Sequence, residues 1–455
     1  MNKAQNLRTF YLIIITQVVS LIGSRMTSFA LGIWIFNETG NVTPLALVAL
    51  FSTIPMLLAS GFAGVLADRF DRRYIMALAD AGQALGTVIL LISFLSGGFQ
   101  LWHLYLVAFI QNIFAVFQHP AFMASVTMLI PDQHRERANA IMQLTGPTAG
   151  LVAPAVAGAL YGFVGVTGVI TIDLISFFVA IGTMLAVRIP RPPQTAEGRK
   201  AQGSMLKEMS IGFRYLWQHK ALLVLMLFAA LLNFLLNGMG TMNTAYILSI
   251  TDHNEALLGI LMSVMDAGAI VGAIVIGAWG GTRPRIHTIM PALIVVGAAT
   301  IIYGVARSPI LMGAMAFSMM FMIPFANVSL ISMMQQKIAP DLQGRVFAVF
   351  NQIAMLMTPL AFLLVGPLAD SVFEPAVGQA GWERVAPLVG SSVGSGMGLM
   401  ILIAGVGVLI ASVVTYAMPF IRNMEANLPD YVAEPAPESE PEIVPITAEP
   451  VPAMD

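Results

Sequence analysis

Hydrophobic and polar positions along this chain fall into long blocks rather than into short alternations. Apolar runs recur from residue 10 to residue 419, and short polar breaks separate them. A helix needs about 20 mostly apolar residues to cross a bilayer. The runs therefore predict spans near 10–36, 44–67, 74–95, 101–129, 138–163 and 166–187, then 221–249, 257–280, 287–306, 309–333, 346–370 and 395–419. Gly40, Pro44, Gly97, Gly98, Pro131, Pro309 and Pro340 punctuate them. The pattern predicts an all-α membrane protein with twelve transmembrane helices in two six-helix bundles. Residues 1–187 form the first bundle and 221–422 the second.

Composition sharpens this picture. The chain is 57% hydrophobic and 10% charged, where soluble domains run near a quarter charged. Net charge is −2, which gives no sign of a nucleic-acid partner. There are no cysteines, so disulfides and thiolate metal sites are excluded. The first apolar run is too long for a cleavable leader and reads as an anchoring helix. Placing the N-terminus inside puts 19 of the 22 Lys and Arg residues on the cytoplasmic side, leaving only Arg25, Arg307 and Arg384 elsewhere. Basic residues favour cytoplasmic loops. A multi-pass protein of a bacterial cytoplasmic membrane, with both termini inside, is the expectation.

The longest polar interruption, 188–220, reads as a cytoplasmic linker between bundles. Within it, 205–219 spaces apolar residues for an amphipathic helix at the membrane surface. The two halves also echo each other. Residues 137–160 align without gaps on 345–368, with Arg137/Arg345, Ala140/Ala348, Ala153/Ala361, Gly158/Gly366 and Leu160/Leu368 identical. Parallel halves with a site between them are a transporter architecture. Residues 423–455 carry eight acids, no basic residue and many prolines, which predicts a disordered tail.

The loop between spans two and three reads GVLADRFDRR, residues 64–73. It resembles the major facilitator superfamily motif G-x-L-a-D-r-x-G-r-r, with Gly64, Asp68, Arg69, Arg72 and Arg73 matching and Asp71 replacing the second glycine. The stretches 30–41 and 135–143 look like the drug-exporting branch that includes macrolide efflux proteins. The resemblance implies a gate at the cytoplasmic face, with Asp68 and Arg72 in its ion pairs. Gly146, Pro147 and Gly150 in span five resemble the family's antiporter motif, which implies export. A static charge cluster is the plainer reading of the arginines, and ordinary membrane-helix composition that of the glycines and proline.

Ionisable residues inside spans are candidates for function. Arg25 lies about 16 Å from the outer end of span one and Asp173 about 10 Å from that of span six, counting 1.5 Å per residue. Their similar depths predict a pair. Asp266, mid-way along span eight, has no basic residue within any span of its own half. It is the leading proton-coupling candidate, its alternative being a hydrogen-bonded helix contact. Asp80, seven residues past Arg73, is expected to pair back to the arginine loop in a gating or structural role.

Amides supply polarity without fixed charge. Gln17, Gln111, Asn112, Asn233, Asn237 and Asn327, with the flexible thioether of Met265, are the expected cavity lining; interhelical hydrogen bonding is the alternative for each. Together they suggest a small amphiphilic substrate, with protons as coupling ion and the bilayer as surroundings. No P-loop, zinc motif or nucleophile elbow occurs. No cofactor, metal or enzymatic activity is expected, and the chain is read as a monomer. An exporter of one metabolite, such as a siderophore or lysophospholipid, and a non-transporting receptor are the competing readings.

Overall fold

The computed structural model describes residues 7–69, 71–130, 134–187 and 205–427. Side chains at 60–69, 124, 126–128, 135–137, 139–140, 205–209, 211–212 and 341 lie outside that description. The first half comprises α1 (Leu7–Thr39), α2 (Thr43–Arg69), α3 (Arg72–Leu95), α4 (Leu101–Leu129) and α5 (Arg135–Ala186). A surface helix α6 (Met205–Gln218) follows. The second half comprises α7 (Lys220–Ile250), α8 (Glu255–Trp279), α9 (Ile286–Val305), α10 (Pro309–Lys337), α11 (Pro340–Leu368) and α12 (Ser395–Ala417).

Among the described residues, ten helices are long and apolar enough to cross a membrane. One of them is α5, whose 52 residues are about twice what a crossing needs. It breaks at Gly165, where φ is 64°, a conformation glycine adopts without steric cost. That break falls between the fifth and sixth predicted spans. With α5 counted as two arms and the 27-residue α2 added, the structure accommodates all twelve expected crossings. Pro147 and Pro154 sit within helical α5. The tail begins later than expected, because Met424–Asn427 is helical and Met424 is buried. The Glu425 carboxylate accepts from Ile286 N at 3.0 Å, and its carbonyl from Lys337 Nζ at 2.6 Å, which ties this segment to the ends of α9 and α10. Residues 428–455 and linker residues 188–204 lie outside the described residues.

The hydrophobic core is unevenly shared between the halves. The largest cluster joins both: Met26, Ile33, Phe36 and Val42 from the first pack with Tyr246, Leu258, Val365 and Met397 from the second. Those residues sit toward one end of the bundle. At the opposite end the cores are separate. Phe10, Ile75, Leu129 and Met184 form one within the first half, and Leu222, Ile289, Met334 and Phe350 form another within the second. Among the described residues, then, the halves share a core at one end and have separate cores at the other.

Glycines set how closely the halves approach at the joined end. A Cβ on Gly158 of α5 would lie 2.7 Å from Glu255 O and 3.1 Å from Gly259 Cα of α8. A Cβ on Gly366 of α11 would lie 2.6 Å from Thr43 Cα of α2. These are the two glycines matched by the internal repeat, so the repeat marks equivalent interhalf contacts. Within the second half, Tyr303 is fully buried on α9 and donates to Asn243 Oδ1 on α7 at 2.5 Å. Tyr303→Phe leaves that buried amide oxygen without its hydroxyl donor. It should cost about 1–3 kcal/mol, read as a lowered unfolding midpoint of the purified protein.

Candidate functional site

Two connected hollows lie along the boundary between the halves, the first beside the shared core and the second toward the parted ends. One, about 410 Å³, is lined mainly by α1, α2, α3, α4 and the second arm of α5. The other, about 570 Å³, is lined mainly by α7, α9 and α10. Ala49 and Thr241 line both, so the hollows meet at the boundary between halves. Drug-sized ligands occupy pockets of this scale.

The two walls differ in chemistry. The first half presents Ser24, Arg25, Ser28, Gln111, Asn112 and Asp173. The second presents apolar side chains such as Phe228, Leu232, Met320 and Phe362, interrupted by Asn233, Asn237, Thr241 and Asn327. Five expected lining residues are thus in place: Gln111, Asn112, Asn233, Asn237 and Asn327. On α7 an i, i+4 ladder holds the amides: Asn233 donates to Ala229 O at 3.1 Å, and Asn237 to Asn233 O at 2.9 Å. Gln111 donates to Gln83 O at 2.9 Å and to Thr87 Oγ1 at 3.1 Å. Ser52, Gln83 and Thr244 also line the space and had no distinguishing signal in the sequence.

Two expected lining residues lie elsewhere. Gln17 belongs to a buried network below the cavity, where it donates to Asp80 Oδ2 at 3.1 Å. Gln118 donates to Asp80 Oδ1 at 2.6 Å and to Gln17 Oε1 at 3.2 Å, and Gln83 donates to Gln118 Oε1 at 2.8 Å. Met265 packs against the shared core with its sulfur 4.0 Å from Asn243 Nδ2. Asp80 therefore does not pair with Arg73. Two helical turns separate them along α3, about 10 Å at 1.5 Å per residue, and glutamines from α1 and α4 are nearer. Arg73 instead donates to Met184 O at 2.8 Å and also to Leu185 O. A guanidinium there satisfies carbonyls at the negative end of a helix.

The expected Arg25–Asp173 pair is also replaced. Ser24 donates to Asp173 Oδ1 at 3.1 Å. Successive residues on a helix point about 100° apart. Once Ser24 faces the second arm of α5, Arg25 turns toward the boundary between halves. There its guanidinium and the Asp266 carboxylate of α8 both lie in front of Gly150 of α5. A Cβ on Gly150 would lie 2.5 Å from Asp266 Oδ2 and 2.7 Å from Arg25 Nη1. Arg25 is the cation whose field acts on Asp266. Gly150 thus makes room for opposite charges brought from opposite halves. One turn away, a Cβ on Gly146 would meet nothing.

In the 64–73 motif, the backbones of Gly64, Asp68 and Arg69 end α2, while their side chains lie outside the described residues. Arg72 opens α3, half-buried. Asp71 is the N-cap of α3, accepting from Arg73 N at 3.1 Å. A capping carboxylate at this position gives physical sense to the departure from glycine.

Comparisons place this arrangement among known proteins. The profile of the Major Facilitator Superfamily matches residues 13–362. Macrolide efflux protein A of Streptococcus pyogenes is 27% identical over 366 residues, spanning 80% of this chain and 90% of that protein. Multidrug efflux pump Tap of Mycolicibacterium fortuitum is 24% identical over 376 residues, 79% of this chain and 89% of that one. Among solved structures, an inward-facing, unoccupied bacterial homologue of the human lysosomal transporter Spinster superposes with TM-score 0.73 at 15% identity. It covers 91% of this chain and 97% of its own. Nucleoside transporter NupG gives 0.68 at 14% identity, covering 92% of this chain and 100% of its own. At these identities the two structures support the fold alone.

The glycines of α5 yield a paired test. Gly146→Ala adds a methyl into open space and should hold or slightly raise the unfolding midpoint, since Ala favours helix over Gly by about 0.5–1 kcal/mol. Gly150→Ala forces Asp266 and Arg25 aside and should lower stability by about 1–3 kcal/mol. Thermal unfolding of the two variants side by side checks the opposite signs.

Proposed function

The chain belongs to the major facilitator superfamily, and from that premise we propose a secondary active exporter of amphiphilic compounds of the macrolide and multidrug type. Its cycle on this reading is alternating access driven by proton antiport. The observation that carries the proposal is the cavity between two halves that, among the described residues, share a core at only one end, with the opposite charges of Arg25 and Asp266 facing Gly150 from opposite halves. Matching relatives named as macrolide and multidrug efflux proteins support the cargo class.

Orientation follows from the basic residues. Arg72, Arg73, Lys220, Arg283, Arg285, Lys337 and Arg422 all lie near the parted ends of the helices. Basic residues favour the cytoplasmic side. That side is then where the cavity opens, and the structure is read as the inward-open, loading state. An amphiphile entering from the cytoplasm meets a largely apolar wall that carries two charged groups and several polar side chains on one side, and an apolar wall with three asparagines on the other. Its polar part is matched by the first, its lipophilic body by the second. Few directional contacts constrain it, and this suits varied cargo.

Coupling on this reading runs through Asp266. When Asp266 is ionised, Arg25 is its counter-charge and the pair draws α1 and α8 together. When it is protonated, the attraction is lost and the halves are free to re-pack. Every interaction that differs between two states biases their populations. A proton exchanged at Asp266 is therefore exchanged for a change in interhalf contact. The gating role implied for Asp68 and Arg72 is part of the same proposal, at the cytoplasmic ends of α2 and α3.

The test is uptake of a radiolabelled macrolide into inverted proteoliposomes under an imposed pH gradient. Wild type should concentrate the macrolide and stop when the gradient is collapsed. Asp266→Asn should bind the macrolide yet lose gradient-driven accumulation at least tenfold, while equilibrium exchange persists. Full accumulation by Asp266→Asn would remove Asp266 from coupling. Wild-type transport indifferent to the gradient would overturn proton antiport.

A further inference from the structure

We infer that Asp370 is a latch between the two halves, holding the joined end shut by capping a helix of the opposite half. The inference rests on the alternating-access reading above, and it adds a residue that neither the family motifs nor the cavity picks out.

The geometry begins with α2. Its first backbone N–H groups have no carbonyl within the helix to receive them. The residue that receives them comes from beyond the end of α11. Asp370 Oδ1 accepts from Val42 N at 2.8 Å, and Oδ2 accepts from Thr43 N at 2.7 Å and from Thr43 Oγ1 at 2.5 Å. A carboxylate taking two main-chain donors at a helix N-terminus is a charge-assisted cap reinforced by the helix dipole. Caps usually come from the helix's own chain neighbour. This one crosses from the second half to the first.

Two features put the carboxylate there. Gly366, one turn earlier on α11, lets Thr43 Cα settle against that helix. The chain then passes through a π-helical turn, Ala369–Phe373, whose extra residue re-aims side chains relative to a regular helix. Just beyond it, Glu374 caps α12 of its own half, accepting from Met397 N at 2.7 Å and Gly394 N at 3.2 Å. One short segment therefore holds the starts of two helices, one in each half.

The internal repeat shows that the latch is one-sided. The offset that matches Gly158 with Gly366 sets Gly162 opposite Asp370. Gly162 has no side chain, and a Cβ there would meet nothing. The α5–α8 seam closes by backbone contact at Gly158 and Gly259, and the α2–α11 seam by the same kind of contact plus a carboxylate. Opening the joined end would separate Asp370 from Val42 and Thr43 and hand all three groups to water. The α5–α8 seam has no such bond to break at the equivalent place. Asp370 thus biases the equilibrium toward closure of this end.

Because the chain has no cysteine, introduced cysteines are the only labelling sites. One spin-label pair, Asn41→Cys with Gln379→Cys, spans the joined end; a second, Tyr74→Cys with Gln335→Cys, spans the parted end. All four positions are exposed. Double electron–electron resonance in lipid nanodiscs reads the distances without substrate or gradient. In Asp370→Ala the first distance should lengthen and the second shorten, with the ratio of the two states changing about fivefold, the size of losing one cap. Asp370→Asn keeps one acceptor and should shift less. Glu374→Gln loosens a cap within one half and should lower the unfolding midpoint without moving either distance. Unchanged distances in Asp370→Ala would overturn the latch, as would broadening of both pairs together or an equal shift in Glu374→Gln. A shift as expected in a protein that moves no macrolide would instead sustain the latch and count against the exporter reading.

Discussion

Two helical bodies can touch at backbone distance only where side chains are missing. Gly158 and Gly366 supply that condition at one end of this molecule, on the two helices that the internal repeat equates. Much of the architecture depends on it. Close approach there draws residues of both halves into one core around Ile33, Tyr246 and Leu258. The helices beyond that region carry separate cores, so they diverge. Divergence leaves the central space, and the space sets which polar residues of α1, α4, α7 and α10 line a cavity.

Inside an apolar medium the second constraint is satisfaction of polar groups, since an unpaired one is costly. Each buried acid has found donors, and the kind of donor distinguishes its part. Asp80 is held by the amides of Gln17 and Gln118. Asp173 is held by the hydroxyl of Ser24. Asp370 and Glu374 take backbone N–H groups at helix starts. Asp370 and Asp266 both look across the boundary: the donors of Asp370 are Val42 and Thr43 of the first half, and the cation whose field acts on Asp266 is Arg25 of α1. Donors fixed within one half stabilise that half in every state. A partner across the boundary changes whenever the halves move.

Hydropathy made the spans legible, because a membrane helix must be apolar along its whole length and the bilayer fixes how long that is. The break within α5 falls in the gap between the fifth and sixth runs, at Gly165, a residue not among the expected breakers. Cavity amides were partly legible as well: a polar side chain in a long apolar run lines a space, bonds a neighbour or does both, and Gln111, Asn112, Asn233, Asn237 and Asn327 all line the hollows, with Gln111 and Asn237 also bonding neighbours. The same logic misplaced Gln17, since sequence gives no account of an acid waiting on the next helix. It misassigned Arg25 for a related reason. Depth along a helix follows from counting residues, but direction around it depends on which neighbour packs there. Ser24 and Arg25 share a depth and face different helices. Asp370 escaped notice because a helix-capping role across the halves needs a π-helical turn that no local pattern announces.

The repeat adds a last constraint on where coupling resides. The alignment that pairs Gly158 with Gly366 also pairs Gly150 with Thr358. At Gly150 a charged side chain of α1 meets a carboxylate of α8. At Thr358 the corresponding helix, α7, presents Asn237, whose amide lies 3.5 Å from the threonine hydroxyl. Neither amide nor hydroxyl titrates at physiological pH. Two equivalent positions have thus been given different chemistry: one neutral and fixed within its half, one charged and shared between halves. A proton can alter only the charged one. In a molecule whose halves are otherwise related by repetition, the proton-antiport reading proposed above would use that difference to make the motion of the halves respond to a proton at a single place.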